Sequence, residues 1–163
     1  MNDATLILVV EDNENDLWLL LRAFKQGKLA NPIQIVRDGE EAIAYLQGEG
    51  KYSNREEYPL PALVLLDLNI PRKDGFEVLE WIRQQPGLSP LRIVVLTVSE
   101  HIDHVNRAHR LGANSFLVKP VYFADFVGLV QAISGYWLWM SHAPDIARLT
   151  EEFRKSSEHD SRL

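Results

Sequence analysis

Five short apolar runs, each followed by a stretch of helical period, leave this chain few folds to adopt. The runs are LILVV (6–10), IQIV (33–36), LVLL (63–66), IVVL (93–96) and SFLV (115–118), and all but Gln34 and Ser115 in them are apolar. After the first, Leu17, Leu20, Leu21 and Phe24 fall at i, i+3, i+4 and i+7. Ala42, Ile43 and Leu46 mark a second helix, and Phe76, Leu79 and Ile82 a third. Ile102, Val105 and Leu111 mark the fourth, then Phe126, Leu129, Val130, Ile133 and Trp137 the last. Strands apolar throughout are buried on both faces, so the pattern predicts a parallel sheet with helices on each side. Short right-handed crossovers then favour an open, doubly wound α/β sheet of five strands.

Punctuation agrees with this division. Asn31-Pro32 and Pro86-Gly87 are turn signals, Asp38-Gly39 precedes the second helix, and Gly112 ends the fourth. Residues 47–61, QGEGKYSNREEYPLP, carry no period and predict a surface loop. After Met140 the chain turns polar, although Ile146, Leu149 and Phe153 fit a short amphipathic helix with a frayed end. The expected organisation is one domain over residues 5–139 and an extension, 140–163, that is partly helical or disordered.

Composition removes several classes of function. A net charge of −6 opposes duplex nucleic-acid binding, which needs a basic face. With no cysteine there is neither a disulfide framework nor thiol chemistry. No run approaches the ~20 apolar residues of a membrane span. MNDATLILVVED also has an acid where a secretory leader needs a base. The expected location is the cytoplasm.

In open α/β sheets the chemistry lies beyond the carboxyl ends of the strands. Here the first strand is followed by Glu11-Asp12, the third by Asp67, the fourth by Thr97 and the fifth by Lys119-Pro120. In the flavodoxin-like order 2-1-3-4-5, those four strands are consecutive neighbours and the second is an outer edge. Each residue has an ordinary role as well. Asp12 or Asn13 could cap the first helix, and Thr97 with Glu100 fits the capping box T-x-x-E. Four such accidents on one edge are a poor explanation. Clustered carboxylates repel, and a divalent cation offsets the repulsion. Oxygen donors without His or Cys point to Mg²⁺. A carboxylate beside Mg²⁺ can attack phosphorus, while Lys and Thr serve the phosphoryl oxygens.

These residues resemble a response-regulator receiver domain. VVED matches its acidic pair, LLDLNIPRKDG its phosphoacceptor turn, VLT its hydroxyl and FLVKP its lysine, in order and over roughly residues 5–139. The resemblance implies that Asp67 takes a phosphoryl group from a histidine kinase, assisted by Thr97 and Lys119. Asp12 and Asp67 would bind Mg²⁺ directly, Glu11 largely through water, and Asn69 through its backbone carbonyl. Thr97 and Phe116 would form the switch, with Phe116 turned inward in the active state. Asn69, Val98 and Ser99 would influence dephosphorylation, and the Lys119-Pro120 bond would often be cis. The long loop before the third strand, the run PLPALVLLDLNIPRKDGFEVLEWIR and the aromatic GYW are similar to stand-alone receivers paired with cyanobacterial and bacterial phytochromes.

Residues 140–163 are too short for a helix-turn-helix or catalytic output domain, so the expected output is a protein surface. The candidate is the face of the fourth helix, fifth strand and fifth helix, extended by Tyr136, Trp137 and Trp139, through which a homodimer would form. Trp137 could equally belong to the core. His101 and His104 have no third ligand nearby and read as surface residues.

Three other functions compete. A phosphatase of the haloacid-dehalogenase kind also forms an aspartyl phosphate but carries D-x-D, whereas Asp67-Leu68-Asn69 lacks the second acid. A flavin or nucleotide site needs glycine-rich backbone where this chain has the acidic EDNEND. A receiver that binds partners without phosphorylation would not need the acceptor residues, and all are present.

Overall fold

The computed structural model describes residues 6–135. Five strands, β1 (Ile7–Val10), β2 (Ile33–Val36), β3 (Leu63–Leu66), β4 (Arg92–Thr97) and β5 (Ser115–Val118), form one parallel sheet in the order β2-β1-β3-β4-β5. Helices α1 (Glu14–Gln26), α2 (Gly39–Gln47), α3 (Gly75–Gln84), α4 (Ile102–Arg110) and α5 (Phe123–Ile133) follow the strands in turn. This is the doubly wound α/β fold that the alternating pattern predicts, with the predicted strand order.

Side chains alternate across the sheet and build two cores. Ile7, Val9, Leu63, Leu65, Val94 and Leu96 pack under α1 and α5, against Leu17, Leu20, Phe24, Phe126 and Val130. Leu8, Val10, Val64, Leu66, Ile93 and Val95 face α2, α3 and α4. Each fully buried aliphatic side chain contributes roughly 1.5–3 kcal/mol relative to exposure, which explains why both faces of every central strand are apolar. The register levels the strand ends: Val10 lies opposite Val36 and Leu66, and Leu66 opposite Val95. Glu11 and Asp67 therefore emerge side by side.

Two expectations are corrected. Ile102, assigned to the apolar face of α4, is 63% exposed, and Ala108 is that helix's one buried residue. Its small side chain lets α4 approach the sheet without a broad apolar stripe. Segment 47–61 is a packed insertion rather than a plain loop. It contains a 3-10 turn, Gly50–Tyr52, and buries Tyr52 beside Tyr45 and Tyr58. Arg55 donates to the carbonyls of Tyr45 and Leu46 in the last turn of α2 and to that of Tyr58 within the insertion, tying the two together. Those contacts have no sequence period, so pattern alone could not show them.

Candidate functional site

Lys119 follows β5 and is buried, with its ammonium directed at three carboxylates. Nζ donates to Glu11 Oε2 at 2.5 Å, Asp16 Oδ2 at 2.7 Å and Asp67 Oδ2 at 2.9 Å. The backbone places it: Lys119 N–H donates to the Thr97 carbonyl at 2.7 Å, continuing the β4–β5 ladder one residue past the strand. The bond to Pro120 is trans, not the cis form that the resemblance implied.

The other members are fixed just as locally. Asp67 N–H donates to the Val10 carbonyl, and Asp67 Oδ1 accepts from the Asn69 N–H at 3.1 Å. Glu11 Oε1 accepts from the Asn13 N–H at 3.0 Å, while Asn13 caps α1 by accepting from the Asp16 N–H. The opposite wall comes from the turn after β3, where Gly39 N–H donates to the Pro71 carbonyl and ties α2 to that turn.

Burial and charge oppose each other here. Burial is the main force pushing the Glu11 carboxyl up to about 7; the Lys119 hydrogen bond pulls it down and the Asp67 charge adds to the rise. Burial also works against the Lys119 charge, but the hydrogen bonds it donates to Asp16, Glu11 and Asp67 outweigh it and hold the group above its ordinary value. One ammonium among three acids leaves the cluster negative.

An open cleft of about 530 Å³ reaches this cluster, lined by Glu11, Asp12, Asn13, Asp16, Asp67, Asn69, Ile70, Pro71, Val98 and Lys119. Carboxylate oxygens of Glu11, Asp16 and Asp67 lie within 4.8 Å of one another, a donor set of hard oxygens that fits a divalent cation. The exposed Asp12 and Asn69 stand on the same cleft. Thr97 ends β4 fully buried, whereas Val98 beyond it is exposed on the cleft rim. Phe116 is half-buried against the core under α2 and α3.

The capping box proposed for Thr97 does not form, because α4 begins later and His101 is its cap. His104 Nδ1 meets Ser99 Oγ at 2.6 Å, and its ring lies edge-on to Phe76. Tyr136, Trp137 and Trp139, and the helix expected around Ile146, Leu149 and Phe153, lie outside the described residues. Asp16 was not anticipated. Its one sequence signal is its place four residues after Asp12, one helical turn into α1.

A parallel sheet in this order, with buried acids and a lysine at its carboxyl edge, is the receiver architecture. Residues 7–131 match the family model described as the response regulator receiver domain, and the chain belongs to that family. It is similar to response regulator Rcp1 of Synechocystis sp., 41% identical over 137 residues that cover 84% of this chain and 91% of Rcp1. Among solved structures, the phosphorylated cyanobacterial phytochrome response regulator RcpA matches with TM-score 0.80 at 36% identity, covering 86% of this chain and 99% of that one. The Mn²⁺-bound form of Rcp1 matches with TM-score 0.77 at 40% identity, covering 86% and 99%. The haloacid-dehalogenase and flavin alternatives give way to this family.

Proposed function

We propose that this response regulator accepts a phosphoryl group on Asp67 from a sensor histidine kinase, with Mg²⁺ as the cation, and signals through a protein surface. The observation carrying this reading is the buried Asp67 carboxylate, 2.9 Å from a lysine ammonium and open to a cleft on its other side. One Asp67 oxygen attacks phosphorus as the P–N bond of a phosphohistidine breaks. The bonding pair stays on the imidazole nitrogen, leaving an acyl phosphate. Lys119 neutralises charge on the phosphoryl oxygens, and the Thr97 hydroxyl moves to them, with Phe116 following. Glu11, Asp12, Asp67 and the Asn69 carbonyl would hold Mg²⁺, and Asp16 stands close enough to contribute. When bound, the cation offsets repulsion between the acids and the incoming phosphate. In this way the protein assists its own phosphorylation and dephosphorylation without being an enzyme acting on others.

The likeness to the cyanobacterial phytochrome response regulator RcpA supports a phytochrome-type kinase as the donor. Among the described residues no helix is long and apolar enough to cross a membrane, and the acidic chain suits neither nucleic acid nor an anionic surface. A cytoplasmic location is part of this proposal, as expected of a partner in a sensor kinase's phosphotransfer chemistry. Residues 5–139 would form the receiver and 140–163 an appended segment.

The test is intact mass after treatment with acetyl phosphate and Mg²⁺. Wild type should gain one phosphoryl group; Asp67→Asn, and wild type in EDTA, should gain none. An adduct that survives Asp67→Asn would reject Asp67 as acceptor. A wild type that stays unmodified even with its kinase would favour a receiver that binds partners without phosphorylation.

The output surface in this proposal is the α4–β5–α5 face. Exposed Ile102, Val118, Val121 and Tyr122 offer apolar area there. We expect sedimentation equilibrium to show a homodimer; a monomer at high concentration, with and without a phosphoryl mimic, would remove that part of the proposal.

A further inference from the structure

We infer that Asp16 is a positioning residue that competes with the phosphoryl group for Lys119. This rests on the reading that Asp67 is the acceptor. An ammonium has three N–H donors, and Glu11, Asp16 and Asp67 accept one each. Every donor is therefore engaged before a phosphoryl oxygen arrives. To meet a phosphoryl group on Asp67, Lys119 must release a carboxylate. Asp16 is the one best placed to be released, because its side chain is 28% exposed against 5% for Glu11 and 7% for Asp67. It alone can exchange the lysine for water at little cost.

A second helix in the same chain shows that this contact is not ordinary capping. Asp74 and Glu77 at the start of α3 form a complete capping box, in which Glu77 folds back to accept from its own cap's N–H at 3.1 Å. Asp16 holds the equivalent place on α1, three residues after the cap Asn13. The Asn13 N–H is taken by Glu11 instead, and the Asp16 carboxylate crosses to Lys119. Glu11 and Asp16 thus hold the ammonium on the α1 side of the site. Handing Lys119 to a phosphoryl oxygen means breaking the Asp16 bond, so Asp16 sets how readily the acceptor accumulates and keeps its charge-neutralising partner.

The experiment is calorimetric titration with beryllofluoride and Mg²⁺, a non-covalent phosphoryl mimic. Wild type, Asp16→Asn and Asp16→Glu are compared, each also in a Lys119→Met background. Asp16→Asn should bind about tenfold tighter than wild type, while Asp16→Glu stays within about twofold of it. In Lys119→Met the effect of Asp16→Asn should vanish, since the effect runs through the lysine. Equal or weaker binding by Asp16→Asn overturns the inference. So does tightening that persists without Lys119, which would make Asp16 only a repelling charge or a metal ligand. If wild type itself does not bind, the acceptor reading fails first and this inference with it. A readout free of ligand decides the case where Lys119→Met abolishes binding. Lys119 ammonium protons, slow to exchange in a cage of three carboxylates, should exchange at least about fivefold faster in Asp16→Asn. Unchanged exchange overturns the inference as well.

Discussion

Replacing Gly39 with alanine is expected to destabilise the protein by about 2–3 kcal/mol and to slow phosphorylation of Asp67. A Cβ at this position would lie 2.0 Å from the Lys73 carbonyl oxygen, 2.6 Å from Lys73 Cβ and 2.7 Å from its carbonyl carbon. Two of these atoms are backbone, so no rotamer change relieves the overlap. Gly39 opens α2 directly after its cap Asp38, and its N–H is donated to Pro71. The helix and the turn between Asp67 and Gly75 would have to part. That turn already holds Arg72 at φ 71°, which an L side chain adopts only when its surroundings enforce it. The Arg72 guanidinium lies 3.8 Å from Asp38 and 3.9 Å from Glu40, so the same interface carries both restraints. Moving the turn moves Asn69, whose N–H orients the Asp67 carboxylate. Denaturant midpoints check the first effect and acetyl phosphate kinetics the second. Gly128→Ala is the control: nothing lies within 4 Å of its added Cβ, and on α5 it should stabilise by about 0.5–1 kcal/mol. Equal behaviour of the two variants would refute the close approach.

Lys119→Met should be the most costly side-chain change at the site. It leaves the largely buried Glu11 and Asp67, with Asp16, without their cation, and removing one partner of a buried ion cluster costs about 3 kcal/mol or more. The sign with pH follows from linkage. The folded Glu11 carboxyl titrates at about 7, above its ordinary range in the unfolded chain. Its favourable contribution is therefore complete below the ordinary carboxylate range and lost as pH rises through about 7. Without Lys119 the folded carboxyl rises further, so the mutant goes on losing stability at pH values where wild type has levelled off. Denaturation in EDTA should show a gap between the two that is smaller near about pH 5 and widens above about pH 7. Saturating Mg²⁺ should narrow it at high pH by replacing the missing positive charge. A gap independent of both pH and Mg²⁺ would mean that Lys119 contributes packing and not charge.

Much of this molecule is legible in one dimension. Buried strands must be apolar on both faces, and LVLL and IVVL show this without reference to any partner. A residue directly after such a strand must emerge at the sheet edge, which is why Glu11, Asp67, Thr97 and Lys119 could be read as neighbours from sequence order alone. Helix α4 was harder, because Ala108 carries its contact and alanine gives almost no periodic signal. The insertion at 47–61 was harder still. Arg55 holds it through side chain to carbonyl bonds and the tyrosines through ring contacts, whose partners are chosen by position and not by composition.

Asp16 marks the boundary between the two kinds of information. By itself the sequence determined the parallel sheet and which strand ends carry acid, hydroxyl and ammonium, because solvent exclusion acts on each segment where it stands; the strand order came from the fold class. It could not determine where Asp16 points. As the acid three residues after a helix cap, Asp16 has a local partner available, and in α3 the corresponding Glu77 takes it. On α1 the Asn13 N–H is occupied by Glu11 and a buried ammonium lies 2.7 Å away, brought there by a strand more than a hundred residues later. Only the tertiary structure decides between those partners, because a carboxylate goes to the strongest unshared donor within reach, and reach is a property of the folded chain.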